Sequence, residues 1–402
     1  MTNEEQSGNI EDEKRIWRVI DPASYAELRS FSVSGMTVDR QESATPVIAS
    51  VSPANSTWAA AEDFLYTTDS TIIAIDNDKH TIKGLASGTA TVTATHKSSI
   101  CSATFTVKVN KNAIIIIPGI MGSELFLGDN TDAPFENGTP IWAASVFAEM
   151  QGIGDLSYIY NIFKSLKCND DATSKYNVST KRFTTKAELT AEEAEIYSNQ
   201  CGTEDTYRNL FTTLNQNSLL TSKYTIDFFS YDWRLSNGIS AQKLDSYINE
   251  MGYDNVILLG NSMGGLVASG YLALGENQKN KVRAVYYLAS PLLGSVEMVN
   301  VWMNEELDAL ELDLPVSSDI LSIMFHIPGF SLRVLLSNFQ SVYELIPTEK
   351  YFSLANKNYL SYKSYLQTES SEITYTTYSD SIEALQRWYG ISNTLMMIRG
   401  SF

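Results

Sequence analysis

Histidine is scarce in this chain: 402 residues hold three, His80, His96 and His326. A reaction that needs an imidazole as proton acceptor therefore has three candidates within this sequence. Cysteine is as rare, with Cys101, Cys168 and Cys201, which excludes a disulfide-dense scaffold. Cys168 and Cys201 could pair, and two buried free thiols fit equally well. No Cys/His cluster has zinc-ligand spacing, so no metal is expected. Positive charge is in deficit, with 29 Lys and Arg against 47 Asp and Glu, a net charge of −18. Such an imbalance argues against nucleic acid and against an anionic membrane surface as partners, though not against neutral lipid. No run of about 18 apolar residues occurs, so no transmembrane segment is expected; the run Ile114–Ile117 stops at Pro118. The opening residues Met-Thr-Asn-Glu-Glu, followed by Glu11, Asp12 and Glu13, lack the basic and apolar regions of a signal peptide.

What is present suffices for a sizeable core. Hydrophobic residues make up 44% and charged residues 19%, a globular balance, and the length suggests two or three domains. Residues 1–30 are acidic and then mixed, a segment without an assigned role. Residues 31–109 read as all β. Short alternating runs (Thr71–Ile75, Thr89–Thr95, Ala103–Val109) are separated by Asn, Asp, Gly and Ser turns, the pattern of a small antiparallel sandwich. Asp76-Asn-Asp78 offers carboxylates as a calcium site would, but a polar hairpin turn accounts for it. Residues 110–402 alternate strands with helices. Ala113–Ile117, Tyr224–Tyr231, Asn255–Leu259 and Val282–Leu288 read as strands. Ser240–Gly252 reads as an amphipathic helix, with Leu244, Tyr247, Ile248 and Met251 at helical spacing. That order implies a mostly parallel sheet with its site at the C-terminal strand ends. Two insertions, about 128–223 and 294–341, have the size of lids.

Within Val256-Ile-Leu-Leu-Gly-Asn-Ser-Met-Gly-Gly-Leu-Val-Ala-Ser-Gly270 an apolar strand runs into Gly260-x-Ser262-x-Gly264 and then into an apolar helix. This is the nucleophile elbow of α/β-hydrolases. A serine projected from a sharp strand-to-helix turn needs small neighbours so that the two elements can approach. The turn also sets Ser262 at a helix N-terminus, where free N–H groups stabilise an oxyanion. The second signal is Ile114-Ile-Ile-Ile-Pro-Gly-Ile-Met-Gly-Ser-Glu-Leu125, a strand ending in a small-residue turn. Oxyanion donors are expected from the backbone N–H of Met263, after the nucleophile, and of Ile120 in this earlier turn, with Met121 the runner-up.

These motifs carry a family resemblance. Pro118–Leu125, Tyr231-Asp-Trp-Arg234, Gly260–Gly265, Ser290-Pro-Leu-Leu-Gly-Ser295 and Tyr343-Glu-Leu-Ile-Pro347 follow the order seen in the lecithin:cholesterol acyltransferase family. The resemblance implies an α/β-hydrolase fold, a lipid or other ester substrate, acyl transfer through a serine-bound intermediate, and no cofactor. It sets Trp142 where the family carries an aromatic lid. Tyr231–Arg234, which offers an acid and an arginine, better suits a structural ion pair or a site wall than catalysis. Ser52-Pro-Ala-Asn-Ser56, Thr68–Asp76, Ile82–Gly88 and Ala90–Ala94 resemble the bacterial immunoglobulin-like domains of the second group. That resemblance implies an extracellular or cell-surface spacer with cell-surface or carbohydrate contact as its binding role.

A serine nucleophile also needs a base and an acid to orient it, in the chain order Ser, Asp or Glu, His. His80 and His96 precede the elbow. His326 follows it but precedes Tyr343–Pro347, and Asp308, Asp313 and Asp319 share its insertion. In the family the catalytic Asp and His both come after the Tyr343–Pro347 motif. Asp380, with Glu383 three residues on, reads as a helix N-cap with its capping box. The expectation is a hydrolase whose last strands, with their acid and base, lie outside this sequence. The alternative is a non-catalytic surface module, or an inactive fragment.

Overall fold

The computed structural model describes residues 28–56, 60–98, 101–129, 132–143, 146, 156–180, 203–304, 332–355, 360–363, 372–375 and 377–389. His326, Asp308, Asp313, Asp319, Cys201 and most of the N-terminal segment fall outside them. The chain forms two compact units, one up to Asn112 and one from Ala113 onward, with Ser222–Thr225 grouped with the first.

The first unit is all β. Its strands are β1 Ser30–Val33, β2 Met36–Val38, β3 Ser43–Ala44, β4 Ile48–Ser52, β5 Phe64–Thr67, β6 Ile73–Asp76, β7 Thr81–Gly84, β8 Gly88–His96 and β9 Ser102–Val109. They form three sheets, ordered β2-β9-β8-β5, β3-β7-β6 and β1-β4. Pairing is antiparallel except between β2 and β9. The period-two pattern has its physical outcome: Ala90, Val92 and Ala94 of β8 and Phe105, Val107 and Val109 of β9 face one buried core with Phe64, Tyr66 and Ile82. Asp76-Asn-Asp78 forms the turn between β6 and β7. Asp76 Oδ1 accepts from the N–H groups of Asp78 and Lys79 at 3.1 and 3.0 Å. These bonds to the backbone, Lys79's first, lower the Asp76 pKa. Asn77 clasps Tyr66 of β5, accepting from its N–H at 2.9 Å and donating to its carbonyl at 3.1 Å. The turn spends its polar atoms on itself and its neighbour.

The second unit is built on β10 Asn112–Ile117, β11 Leu125–Leu127, β12 Pro140–Trp142, β13 Val178–Ser179, β14 Thr225–Phe228, β15 Asn255–Asn261 and β16 Val282–Leu288. The main sheet runs β14-β10-β15-β16, with β15 and β16 parallel. β10 is buried at every position, Asn112 included, and its apolar stretch Ala113–Ile117 suits an interior strand of the sheet. The predicted amphipathic helix spans Asn237–Glu250, and its Leu244 and Ile248 are fully buried. Ser236 caps it, accepting from the Gly238 N–H at 3.1 Å. The helix Gly264–Ala273 follows β15.

Two expectations change. Trp142, which the resemblance set at an aromatic lid, packs in the core of this structure. It is buried, donates its indole N–H to the Met121 carbonyl at 2.9 Å, and meets Trp233 edge-on at 5.2 Å. An indole with a satisfied N–H and an aromatic neighbour is held in the core. Asp380 does not cap its helix, which spans Tyr378–Tyr389. Thr377 does, because its hydroxyl oxygen accepts from the Asp380 N–H at 3.1 Å. The boundary therefore lies three residues earlier than the Asp-first reading, since a threonine hydroxyl fills the same role. In the second insertion, Val301, Trp302, Leu335 and Leu336 are buried in the main core, with Trp302 against Tyr343 at 5.0 Å. Those positions are core packing; Ile320–Phe325 lies outside the described residues.

Candidate active site

Ser262 stands between β15 and the helix Gly264–Ala273 with φ +49°. A serine in the left-handed region is strained, and the surroundings enforce it. A Cβ on Gly264 would lie 2.2 Å from the Ile117 carbonyl oxygen and 2.6 Å from that of Pro118. One on Gly260 would lie 2.7 Å from Gly265 Cα. The glycines thus let the helix start pack directly on the end of β10. The Ser262 N–H is fixed by the Leu288 carbonyl at the end of β16, 2.8 Å away.

The Pro118–Leu125 turn lies against this serine. A Cβ on Gly119 would be 2.9 Å from Ser262 Cβ and 3.4 Å from Ser262 Oγ. Ile120 and Met121, next in the chain, are buried, and Met121 has φ +62°. Among the described residues no hydrogen bond engages the backbone N–H of Ile120, Met121 or Met263. The Gly119 N–H is used: it donates to the Tyr207 hydroxyl at 2.9 Å. Among the described residues nothing is hydrogen-bonded to Ser262 Oγ either.

The other motifs hold this turn and the elbow in place. Tyr231 donates its hydroxyl to the Pro118 carbonyl at 2.8 Å, and its N–H to Ser123 Oγ at 3.1 Å. Trp233 donates its indole N–H to the Ser123 carbonyl at 3.1 Å. Asp232 and Arg234 form a buried two-point ion pair, Nε to Oδ1 at 2.9 Å and Nη2 to Oδ2 at 2.7 Å. The guanidinium also donates to the Leu166 carbonyl and to Ser174 Oγ, each at 2.8 Å. Burial opposes the Arg234 charge, Asp232 outweighs it, and the pKa ends above its ordinary value. The two-point pair, with both partners buried, is an anchor. Burial likewise pushes the nearby Cys168 thiol up to about 11, against the pull of Arg234, which leaves a buried free thiol.

Ser290 Oγ donates to the Gly260 carbonyl at 3.0 Å, and Ala289 before it has φ +50°. The Ser295 N–H donates to the Leu345 carbonyl at 2.7 Å, which joins the Ser290–Ser295 and Tyr343–Pro347 motifs. Glu344 Oε2 accepts from the N–H and side-chain amide of Asn237, at 2.8 and 2.7 Å, at the start of the Asn237–Glu250 helix. Burial raises its pKa while these donors pull it down. Glu344 is thereby a second cap for that helix. Sequence reasoning missed this role, and it missed Tyr207 and Asn261 as well. Asn261 was visible as the variable position of the elbow; Tyr207 lies in a polar stretch with no motif to mark it.

The lecithin:cholesterol acyltransferase family matches residues 192–397, about half of the chain, and the chain belongs to that family. The match includes the elbow, Tyr231–Arg234 and the two later motifs. No curated protein matches the chain. Acyl transfer or ester hydrolysis on lipid is the activity of the family as a whole.

Proposed function

We propose that this protein is a serine-dependent acyltransferase or acylhydrolase acting on a lipid ester, with Ser262 as nucleophile. The observation that carries this reading is the strained Ser262 at φ +49°, with Gly119 so close that a Cβ there would lie 3.4 Å from its hydroxyl. Strain of this kind persists only where packing imposes it, and it marks working residues. Ser262 Oγ attacks the ester carbonyl carbon and gives up its proton to a general base. The carbonyl π electrons move to oxygen. The N–H groups of Met263 and Ile120, unengaged among the described residues, are the oxyanion donors, each worth about 10²–10³ in rate. Collapse expels the alcohol, which takes the proton, and leaves an acyl-serine. Water or a second alcohol then attacks that acyl group. No cofactor enters these steps.

The first unit serves, in this reading, as an immunoglobulin-like spacer of an extracellular or surface-attached enzyme. Its support is the alternating strand pattern and a single buried core. The second reading is a non-catalytic module that keeps the hydrolase scaffold. It is favoured by the absence, among the described residues, of a base hydrogen-bonded to Ser262 Oγ. A fluorophosphonate probe decides between them. Labelling of the intact chain that disappears in Ser262→Ala supports the enzyme; labelling unchanged by that substitution, or none at all, supports the scaffold. Some reactivity is expected even without a base, since an oxyanion hole alone retains about 10³-fold catalysis.

A further inference from the structure

Tyr207 lies on the helix Thr203–Gln216, within the long excursion between β10 and β14. Its buried hydroxyl reaches two residues that flank the candidate site from opposite sides. It accepts from the Gly119 N–H at 2.9 Å and donates to Asn261 Oδ1 at 2.7 Å. Gly119 belongs to the turn after β10, and Asn261 immediately precedes Ser262. The amide orientation of Asn261 is set independently, because its Nδ2 donates to the Leu288 carbonyl at 3.3 Å. That carbonyl also holds the Ser262 N–H, at 2.8 Å. One chain of bonds therefore runs from the end of β10, through Tyr207 and Asn261, to the end of β16 and back to the nucleophile. The tyrosine ring is held by Phe228 of β14, edge-on at 5.6 Å.

We infer that Tyr207 is a positioning residue, whose hydroxyl ties the Gly119 turn to the nucleophile turn and so sets the gap in which an ester carbonyl is held between Ser262 Oγ and the Ile120 N–H. The inference rests on Ser262 being the nucleophile. Two consequences separate this role from packing alone. The Gly119 N–H is occupied, so the donor offered to an oxyanion from this turn is the next one along. Further, the spacing depends on one oxygen atom, which Tyr207→Phe removes while keeping the ring. A buried N–H left without its partner pulls the turn toward other acceptors, and small displacements at a reacting centre cost large factors in rate.

The test compares the intact chain with Tyr207→Phe, Asn261→Ala and the double variant. It reads the rate of fluorophosphonate labelling, kcat and KM on a p-nitrophenyl ester, the midpoint of thermal unfolding, and amide exchange in the peptides covering 113–124 and 258–266. The expected result is labelling and kcat reduced about tenfold in Tyr207→Phe, with KM unchanged. Exchange should quicken in both peptides, and the unfolding midpoint should fall by no more than one lost buried hydrogen bond explains. The double variant should fall no more than about twofold below either single one, because all three break the same tie. Wild-type labelling by Tyr207→Phe, or a loss shared equally between kcat and KM, overturns the inference. Should the intact chain not label at all, the nucleophile reading fails; exchange then decides the tie, unchanged protection of both peptides refuting it and faster exchange upholding it.

Discussion

The two units store backbone strain in different places. Among the described residues of the β unit, those in the left-handed region other than glycine are Gln41 and His80, both at turns between strands. The turn that ends in His80 is stitched by Asp76 and Asn77. Among the described residues of the α/β unit, three of the four such residues, Met121, Ser262 and Ala289, stand just beyond the C-terminal ends of β10, β15 and β16. The same conformational cost is local and self-satisfied in one unit, and gathered at one end of a sheet in the other. Hairpin turns adopt unusual φ because the chain must reverse. Strand-to-helix turns need not, and strain there persists only because packing over-determines it. The difference sets the sheet end of the second unit apart as the place where packing imposes backbone strain.

Glycine replacement breaks the comparison most forcefully. Gly264→Ala drives a methyl into two carbonyl oxygens of β10 and its turn, neither of which can yield. It should cost more than about 4 kcal/mol in denaturant unfolding, or prevent the second unit from folding. Gly88→Ala in the β unit meets only the end of Ile72, at 3.1 Å and φ +146°, and should cost about 1–2 kcal/mol. Equal losses would mean that the two sites are equally adaptable.

Ion pairs sharpen it next. Asp232→Ala leaves a buried guanidinium without its partner and should cost about 3–5 kcal/mol. Lys79→Ala removes an exposed pair on a hairpin turn and should leave the unfolding midpoint where it was. A midpoint that is unmoved by Asp232→Ala would show that the Tyr231–Arg234 motif does not anchor the site.

The smallest effect carries a sign. Ser262→Gly removes the strain at φ +49°, and should leave stability unchanged or raise it by up to about 1 kcal/mol, while abolishing probe labelling. Ala94→Gly in the middle of β8, where the backbone is extended, should lower stability by about 1 kcal/mol. A destabilised Ser262→Gly would mean that the turn is not strained in the way its dihedral implies.

The sharp turn at Ser262 was legible because its sterics are local. Strand, Gly260-x-Ser262-x-Gly264 and helix lie within fifteen residues, and each small residue answers to a steric demand of the turn itself. The alternating core of β8 and β9 was legible for the same reason, whereas the order of the five motifs was read from the family resemblance. The partnerships between motifs were not. That Trp233 serves the Ser123 carbonyl, Ser290 that of Gly260, and Glu344 the start of a helix some hundred residues away depends on which loops a sheet brings together. Trp142 shows the limit: its place along the chain carried no sign that the Met121 carbonyl and Trp233 hold the ring in the core.

By itself, the sequence determined the order of its segments: an alternating β segment, then an α/β segment whose glycine spacing permits a sharp strand-to-helix turn at residue 262. Those are consequences of short-range sterics and of side-chain periodicity, which a sequence carries directly. Only the tertiary structure decided that Ser262 is strained, that Gly119 stands against its hydroxyl, and that Tyr207 lies between Gly119 and Asn261. Contacts between residues 54 to 113 positions apart, such as Tyr207 with Asn261 or Tyr231 with Pro118, are settled by how strands order themselves in a sheet. No local pattern encodes that order.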